Sequence, residues 1–129
     1  MADLTTLGLL GCGNMGGAVA RGAVASGLLS ADRVFIFDSE PKATQPLQAL
    51  GCKAVASTEE LFEKADVIVL AIKPQVFRAT PPTPQRGEKT VVSVMAGIRV
   101  AQMRAAFPNS FTVIRVMPNL GLSVGEGAT

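Results

Sequence analysis

Residues 11 to 16 read Gly-Cys-Gly-Asn-Met-Gly, and their spacing is the first sign of chemistry in this chain. The pattern G-x-G-x-x-G can cradle a pyrophosphate when a strand leads into it and a helix leads out. Gly11 would permit the tight turn. Gly13, lacking a Cβ, would let the backbone approach phosphate oxygens. Gly16 would let the helix pack closely on the strand. The unpaired N–H groups of the first helical turn would then meet the negative charge. Such a site calls for an acid about 20 residues further on, at the end of the next strand. Asp38 stands there. Its carboxylate can accept hydrogen bonds from the adenosine ribose hydroxyls and would repel a 2′-phosphate, which predicts NADH in preference to NADPH. The competing reading is a purely structural turn, with Asp38 a solvated strand end.

What is missing narrows the chemistry further. There is no His, Tyr or Trp. The commonest general acid–base residue is therefore absent, and a Ser-His or Cys-His nucleophile pair is impossible within the chain. No cysteine–histidine cluster has zinc spacing, so no metal is expected. Any redox chemistry must come from a cofactor. The two cysteines, Cys12 and Cys52, fit free thiols in a reducing cytoplasm. Cys12 reads as a small space-filler, partly exposed near the phosphate site, and Cys52 as inert. Net charge is only +2 with the basic residues scattered, which gives nucleic acid no electrostatic support. The N-terminal MADLTTLGLL lacks a basic cluster and does not read as a signal peptide. Val67 to Ile72 is far shorter than the roughly 20 apolar residues of a membrane span.

The elements that must position these residues alternate between strand and helix. Apolar runs predict strands over Thr6 to Leu10, Arg33 to Asp38, Val67 to Ile72, Thr90 to Met95 and Phe111 to Met117, with a brief one at Lys53 to Ala56. Val67 to Ile72 is apolar on both faces, as a central parallel strand should be. A helix is predicted from Met15 to a stop at Gly27. Between Glu40 and Leu50, Pro46 predicts a late helix start or a kink, because an interior proline costs about 3 kcal/mol. Ser57 to Glu60 has the form of a capping box opening a helix to Lys64. The prolines of residues 80 to 87 cut off a helix begun at Gln75 to Ala79. Val100, Met103 and Phe107 mark a last helix, ended by Pro108-Asn109. This rhythm predicts an α/β chain: a doubly wound, mostly parallel Rossmann-type sheet in one domain, with strand order 3-2-1-4-5-6. Lys73 falls at the C-terminal end of the central strand, where ligands bind in such sheets. Arg115 reads as a sheet-face charge that pairs with a neighbour.

Several stretches together resemble the pyrroline-5-carboxylate reductase family: GCGNMGGAVARG at 11 to 22, DVIVLAIKPQ at 66 to 75, VVSVMAGI at 91 to 98, RVMPN at 115 to 119 and VGEGAT at 124 to 129. The resemblance implies a reductase that makes L-proline from L-1-pyrroline-5-carboxylate with NAD(P)H, the last step of proline biosynthesis. It implies that residues 1 to 129 are the dinucleotide-binding domain, and that the family's helical C-terminal domain, which forms the dimer and much of the substrate pocket, is absent from this chain. An inactive, cytoplasmic fragment, monomeric or weakly dimeric, is then expected. Carried over by position, Gly11, Gly13, Asn14, Met15 and Gly16 would line the pyrophosphate. Asp38 and Ser39 would meet the adenosine ribose, with Thr58 near the adenine. Ala71, Ile72, Lys73 and Pro74 would run beside the cofactor. Met95, Ala96, Gly97, Pro118 and Asn119 would border the nicotinamide. The chain departs from the family at Leu120-Gly121, where Thr-Pro is usual, and at Thr58, where many members carry asparagine. It also departs at the proline-rich stretch from 80 to 87. A 3-hydroxyacid dehydrogenase domain and a nucleotide-sensing module without chemistry are the alternative readings.

Overall fold

The computed structural model describes residues 5–79, 81–82 and 87–116. Among these residues six strands form one sheet, all parallel: β1 (Leu7–Leu10), β2 (Val34–Phe37), β3 (Lys53–Ala54), β4 (Val67–Leu70), β5 (Thr90–Ser93) and β6 (Thr112–Arg115). Their order across the sheet is β3-β2-β1-β4-β5-β6, the doubly wound order expected. The helices between them are α1 (Asn14–Ala25), α2 (Gln45–Leu50), α3 (Thr58–Lys64), α4 (Pro74–Ala79) and α5 (Val100–Ala106).

The sheet is buried on both faces at its centre because alternate residues of β1 and β4 point to opposite layers. Leu7, Leu9 and Val69 join Val34, Ile36, Ala20 and Leu47 on the α1–α2 side. Leu10, Ile68 and Leu70 join Leu61, Phe77, Ile98 and Met103 on the side of α3, α4 and α5. The rings of Phe62, Phe107 and Phe111 close the second layer, with centroids 5.7 to 6.3 Å apart. Phe107 follows the last helical residue of α5 and is its C-cap, one position short of the helix that its spacing suggested.

Local chemistry explains the breaks. Pro46 sits in the first turn of α2, where its missing N–H has no helical partner to lose, and a 3-10 turn over Pro41–Thr44 leads into it. The late start therefore replaces a kink. Ser57 caps α3 by accepting from the Glu60 N–H at 3.1 Å. The reciprocal half of the box is displaced by one residue, since Glu60 accepts from the Ala56 N–H at 2.9 Å. Every strand is shorter than its apolar run. β4 ends at Leu70 and β5 at Ser93, and Ala71-Ile72 and Val94-Met95 belong to the rim of the sheet. Arg115 is exposed on the edge strand, opposite Ser93.

Gly8 shows how tightly α3 is seated. A Cβ on Gly8 would lie 2.8 Å from the Ala65 Cβ and 3.2 Å from Leu61 Cδ1. Both neighbours are fully buried and cannot yield to solvent. Gly8→Ala should therefore lower stability by about 1–3 kcal/mol, the usual cost of overpacking. Urea unfolding checks this.

Candidate dinucleotide site

In an all-parallel sheet every strand ends on the same edge, so residues distant in sequence gather there. The order reverses between β1 and β4, the switch point at which such sheets open a crevice. Three backbone bonds extend the ladder beyond the strand ends and fix this rim. The Gly11 N–H donates to the Phe37 carbonyl at 2.9 Å, Ala71 to Leu10 at 2.8 Å and Val94 to Leu70 at 3.1 Å.

The three glycines have different reasons to be glycine. Gly11 has φ +104°, and a Cβ there would lie 2.6 Å from the Ala71 carbonyl oxygen. A Cβ on Gly16 would run into the Gly11 carbonyl. Gly11 is required by its close approach to the backbone that follows β4, and Gly16 by the close approach of α1 to the turn. Gly13 is different. It is exposed, its φ is −74°, and a Cβ built on it would meet nothing within 4 Å. The fold does not need glycine at 13. Open space above a helix N-terminus is where a phosphate must approach. Gly13 is the N-cap of α1, no side chain caps that helix, and its first turn holds no acid. The 12-residue helix thus presents its free N–H groups and positive dipole end to the crevice. Asn14 is exposed at the first position and Met15 half-buried beside it.

Asp38 is neither a solvated strand end nor an isolated carboxylate. It is half-buried. One oxygen accepts from the Cys12 N–H at 2.8 Å and the other from the Glu40 N–H at 2.8 Å. Ser39 is exposed next to it. Thr58 is half-buried at the start of α3, beyond the end of β3. This places Asp38, Ser39 and Thr58 on the β2–β3 side of the glycine turn.

On the other side, Met15, Ala71, Ile72, Lys73, Pro74, Val94, Met95 and Ala96 line a shallow, open and mainly apolar cleft of about 210 Å³. Seven of these were expected from sequence; Val94 was not, since it reads as part of a strand. Its signal was the alternation Val92, Ser93, Val94, which turns it to the α1 face with Val92. Met95 is buried, and its N–H donates to the fully buried Ser93 hydroxyl at 3.1 Å. Gly97, expected at the same border, does not line the cleft. It takes φ +77°, and its carbonyl accepts from the Arg78 guanidinium at 3.1 Å. Lys73 is exposed at the mouth. From residue 67 to 116 the single acid is Glu88, so this rim is electropositive. Pro118 and Asn119 lie outside the described residues.

Cys12 is buried, which corrects the expectation of partial exposure. Burial, followed by the Asp38 charge and Cys52, pushes its thiol up to about 12. Its Sγ lies 3.8 Å from the Phe37 carbonyl, to which the thiol donates. Burial likewise raises Cys52. Among the described residues no three His, Cys, Asp or Glu side chains come together as a metal site. No described helix is long and apolar enough to cross a membrane.

Comparison with known proteins agrees with this geometry. Residues 6–97 match the model of the family described as NADP oxidoreductase coenzyme F420-dependent. The chain belongs to this family. Within it, the resemblance to the pyrroline-5-carboxylate reductases holds along the whole chain. The chain is 31% identical over 134 residues to the reductase of Pisum sativum, covering 100% of this chain and 48% of that protein. It is 31% identical over 127 residues to that of Escherichia coli strain K12, covering 95% and 47%. The crystal structure of Plasmodium falciparum pyrroline carboxylate reductase with NADP bound superposes with a TM-score of 0.78 at 25% identity, over 92% of this chain and 44% of that one. The chain spans about half the length of the curated relatives it matches.

Two outcomes follow from the packing. Gly16→Ala should destabilise this domain by about 3 kcal/mol, whereas Gly13→Ala should cost about 1 kcal/mol or less, the loss of a glycine cap. Thermal unfolding separates the two. The Cys12 thiol should resist iodoacetamide at pH 8 in the folded chain. An unfolded thiol ionises near pH 8.5, while folded Cys12 holds its proton up to about 12. Its contribution to stability is therefore complete below the lower value and is lost as pH rises through the upper one. A stability profile in that alkaline range reads the loss.

Proposed function

We propose that residues 1–129 form the dinucleotide-binding domain of an NAD(P)H-dependent reductase that converts L-1-pyrroline-5-carboxylate to L-proline. The observation that carries this reading is Gly13, a glycine that neither backbone conformation nor packing requires, at the open N-terminus of α1. The matched reductases and the Plasmodium protein's bound NADP support the choice of cofactor and substrate.

In this proposal Gly11, Gly13, Asn14, Met15 and Gly16 hold the pyrophosphate, through backbone N–H groups rather than side-chain charge. Asp38 and Ser39 hold the adenosine ribose, with Thr58 by the adenine. The free lone pairs of Asp38 accept ribose hydroxyls, and its charge opposes a 2′-phosphate, which favours NADH. The cleft of Ala71, Ile72, Lys73, Pro74, Met95 and Ala96 takes the nicotinamide end, and Pro118 and Asn119 complete its border. When bound, the dihydronicotinamide supplies the hydride that reduces the carbon–nitrogen double bond. The chain's residues orient the ring and keep water from one of its faces. A protonated imine is already electrophilic, so positioning does most of the work and the missing histidine is no obstacle.

The cleft is open and smaller than the 300 Å³ or so at which ordinary ligand sites begin. A second half, helical and dimer-forming, would close it over the imino acid. The working enzyme is then a homo-oligomer in the cytoplasm, and the isolated chain is a monomer or weak dimer.

The test is a titration of NADH and then NADPH into the purified chain, followed by nicotinamide fluorescence against a background without Trp or Tyr. Saturable NADH binding, weaker for NADPH and reduced at least tenfold by Gly13→Ala, is expected. No turnover of the cyclic imine is expected from these residues alone. Binding of neither dinucleotide, or binding indifferent to Gly13, would refute the reading.

A further inference from the structure

The acid that reads the ribose also holds the cradle together. Asp38 comes 26 residues after Cys12, yet its Oδ2 accepts from the Cys12 N–H between the first two glycines, and its Oδ1 accepts from the Glu40 N–H in the turn after β2. One carboxylate thus bridges the two loops that bracket the ribose position, each at 2.8 Å. The neighbouring Gly11 N–H is held by the Phe37 carbonyl. The turn is therefore tied to β2 at two successive residues, once through backbone and once through Asp38. No other side chain among the described residues supplies an acceptor to the turn from 11 to 13. Each carboxylate oxygen has a second lone pair, so the clamp leaves acceptor capacity for ribose hydroxyls.

We infer that Asp38 is a positioning residue for the pyrophosphate cradle as well as a reader of the ribose, so that cofactor choice cannot be changed at Asp38 without loosening the grip on every dinucleotide. The inference rests on the functional reading above. It alters the consequence of mutating the acid. A residue that only repels the 2′-phosphate can be removed with a gain for NADPH. A residue that also fixes the Cys12 amide cannot. Without it a half-buried N–H loses its acceptor, and the glycine turn is free to rotate its amides away from the phosphate. The charge has a further effect on Cys12. Asp38 adds to the burial that keeps the thiol protonated, so its loss makes this cysteine easier to ionise.

The experiment compares the wild-type chain with Asp38→Asn, which keeps one carbonyl acceptor, and Asp38→Ser, which keeps neither reach nor charge. Three readouts are taken: amide hydrogen exchange at Cys12, binding of inorganic pyrophosphate from the amide shifts of Gly13 and Asn14, and Kd for NADH and NADPH. Pyrophosphate touches the cradle and not the ribose, so it separates the two roles. Exchange at Cys12 should speed up at least tenfold in Asp38→Ser and less in Asp38→Asn. Pyrophosphate should bind more weakly in the same order, although a negative charge has been removed. Kd should rise for both dinucleotides, more for NADH than for NADPH, so that the preference for NADH shrinks. If Asp38→Ser does not fold, Asp38→Asn carries the test alone. Unchanged Cys12 exchange with equal or tighter pyrophosphate binding would overturn the clamp and leave the functional reading standing. A wild-type chain that binds neither dinucleotide nor pyrophosphate would instead overturn the functional reading.

Discussion

Between Gly16 and the Gly11 carbonyl there is no room for a carbon atom. That close approach is the constraint on which the rest of the site depends. It lets α1 begin directly above the end of β1 and leaves the helix's first N–H groups at the mouth of the crevice. Gly11 makes the approach possible by turning the chain through a positive φ against the Ala71 carbonyl. The turn and the helix are consequently packed tightly at the end of β4, and the phosphate site proposed here is built almost without side chains. Backbone donors held this way need little rearrangement when an anion arrives, which is the source of their strength.

The halves of the rim differ in chemistry. On the β2 side the contacts are polar and directional, and they converge on Asp38. On the β4–β5 side they are apolar, shallow and open, with Lys73 and Arg78 giving the area positive charge. On the proposed function, a nucleotide would be read closely at its adenosine end and loosely at its reactive end. Such a division suits a domain whose apolar cleft is finished by another surface. The buried Ser93, whose hydroxyl accepts from the Met95 N–H, holds the backbone where it passes from β5 to the cleft-lining Met95.

Much of this was legible in the sequence. The alternation of apolar runs with helical spacing, together with right-handed crossovers, left few topologies, and the observed strand order is the expected one. Turn chemistry was readable too: Pro46 marked the first turn of α2 and Ser57 the cap of α3. Strand ends were not readable. Ile72, Val94 and Met95 are as apolar as the strands that precede them, and composition does not tell a residue that enters the core from one that lines a cleft. Cys12 was misjudged for a related reason. Between two glycines it reads as exposed, but it is buried in the apolar layer that β1 and β2 share with α1 and α2.

By itself, then, the sequence determined the glycine turn, the strand–helix rhythm and the presence of an acid at the end of β2, because each follows from short-range sterics and apolar periodicity. Tertiary structure alone decided which glycine is free for a ligand and what Asp38 does. Both depend on distances between segments far apart in the chain. Gly11 is glycine because of Ala71, just beyond β4, and Gly16 because of the Gly11 carbonyl in the turn itself, and Gly13 stands out only when its own surroundings prove empty. The Asp38 carboxylate reaches the Cys12 amide because the parallel register sets Leu10 beside Phe37, so that the residues just beyond each strand meet. Periodicity specifies that two strands are buried; the register that brings their ends within a hydrogen bond is set by the packing of the whole sheet.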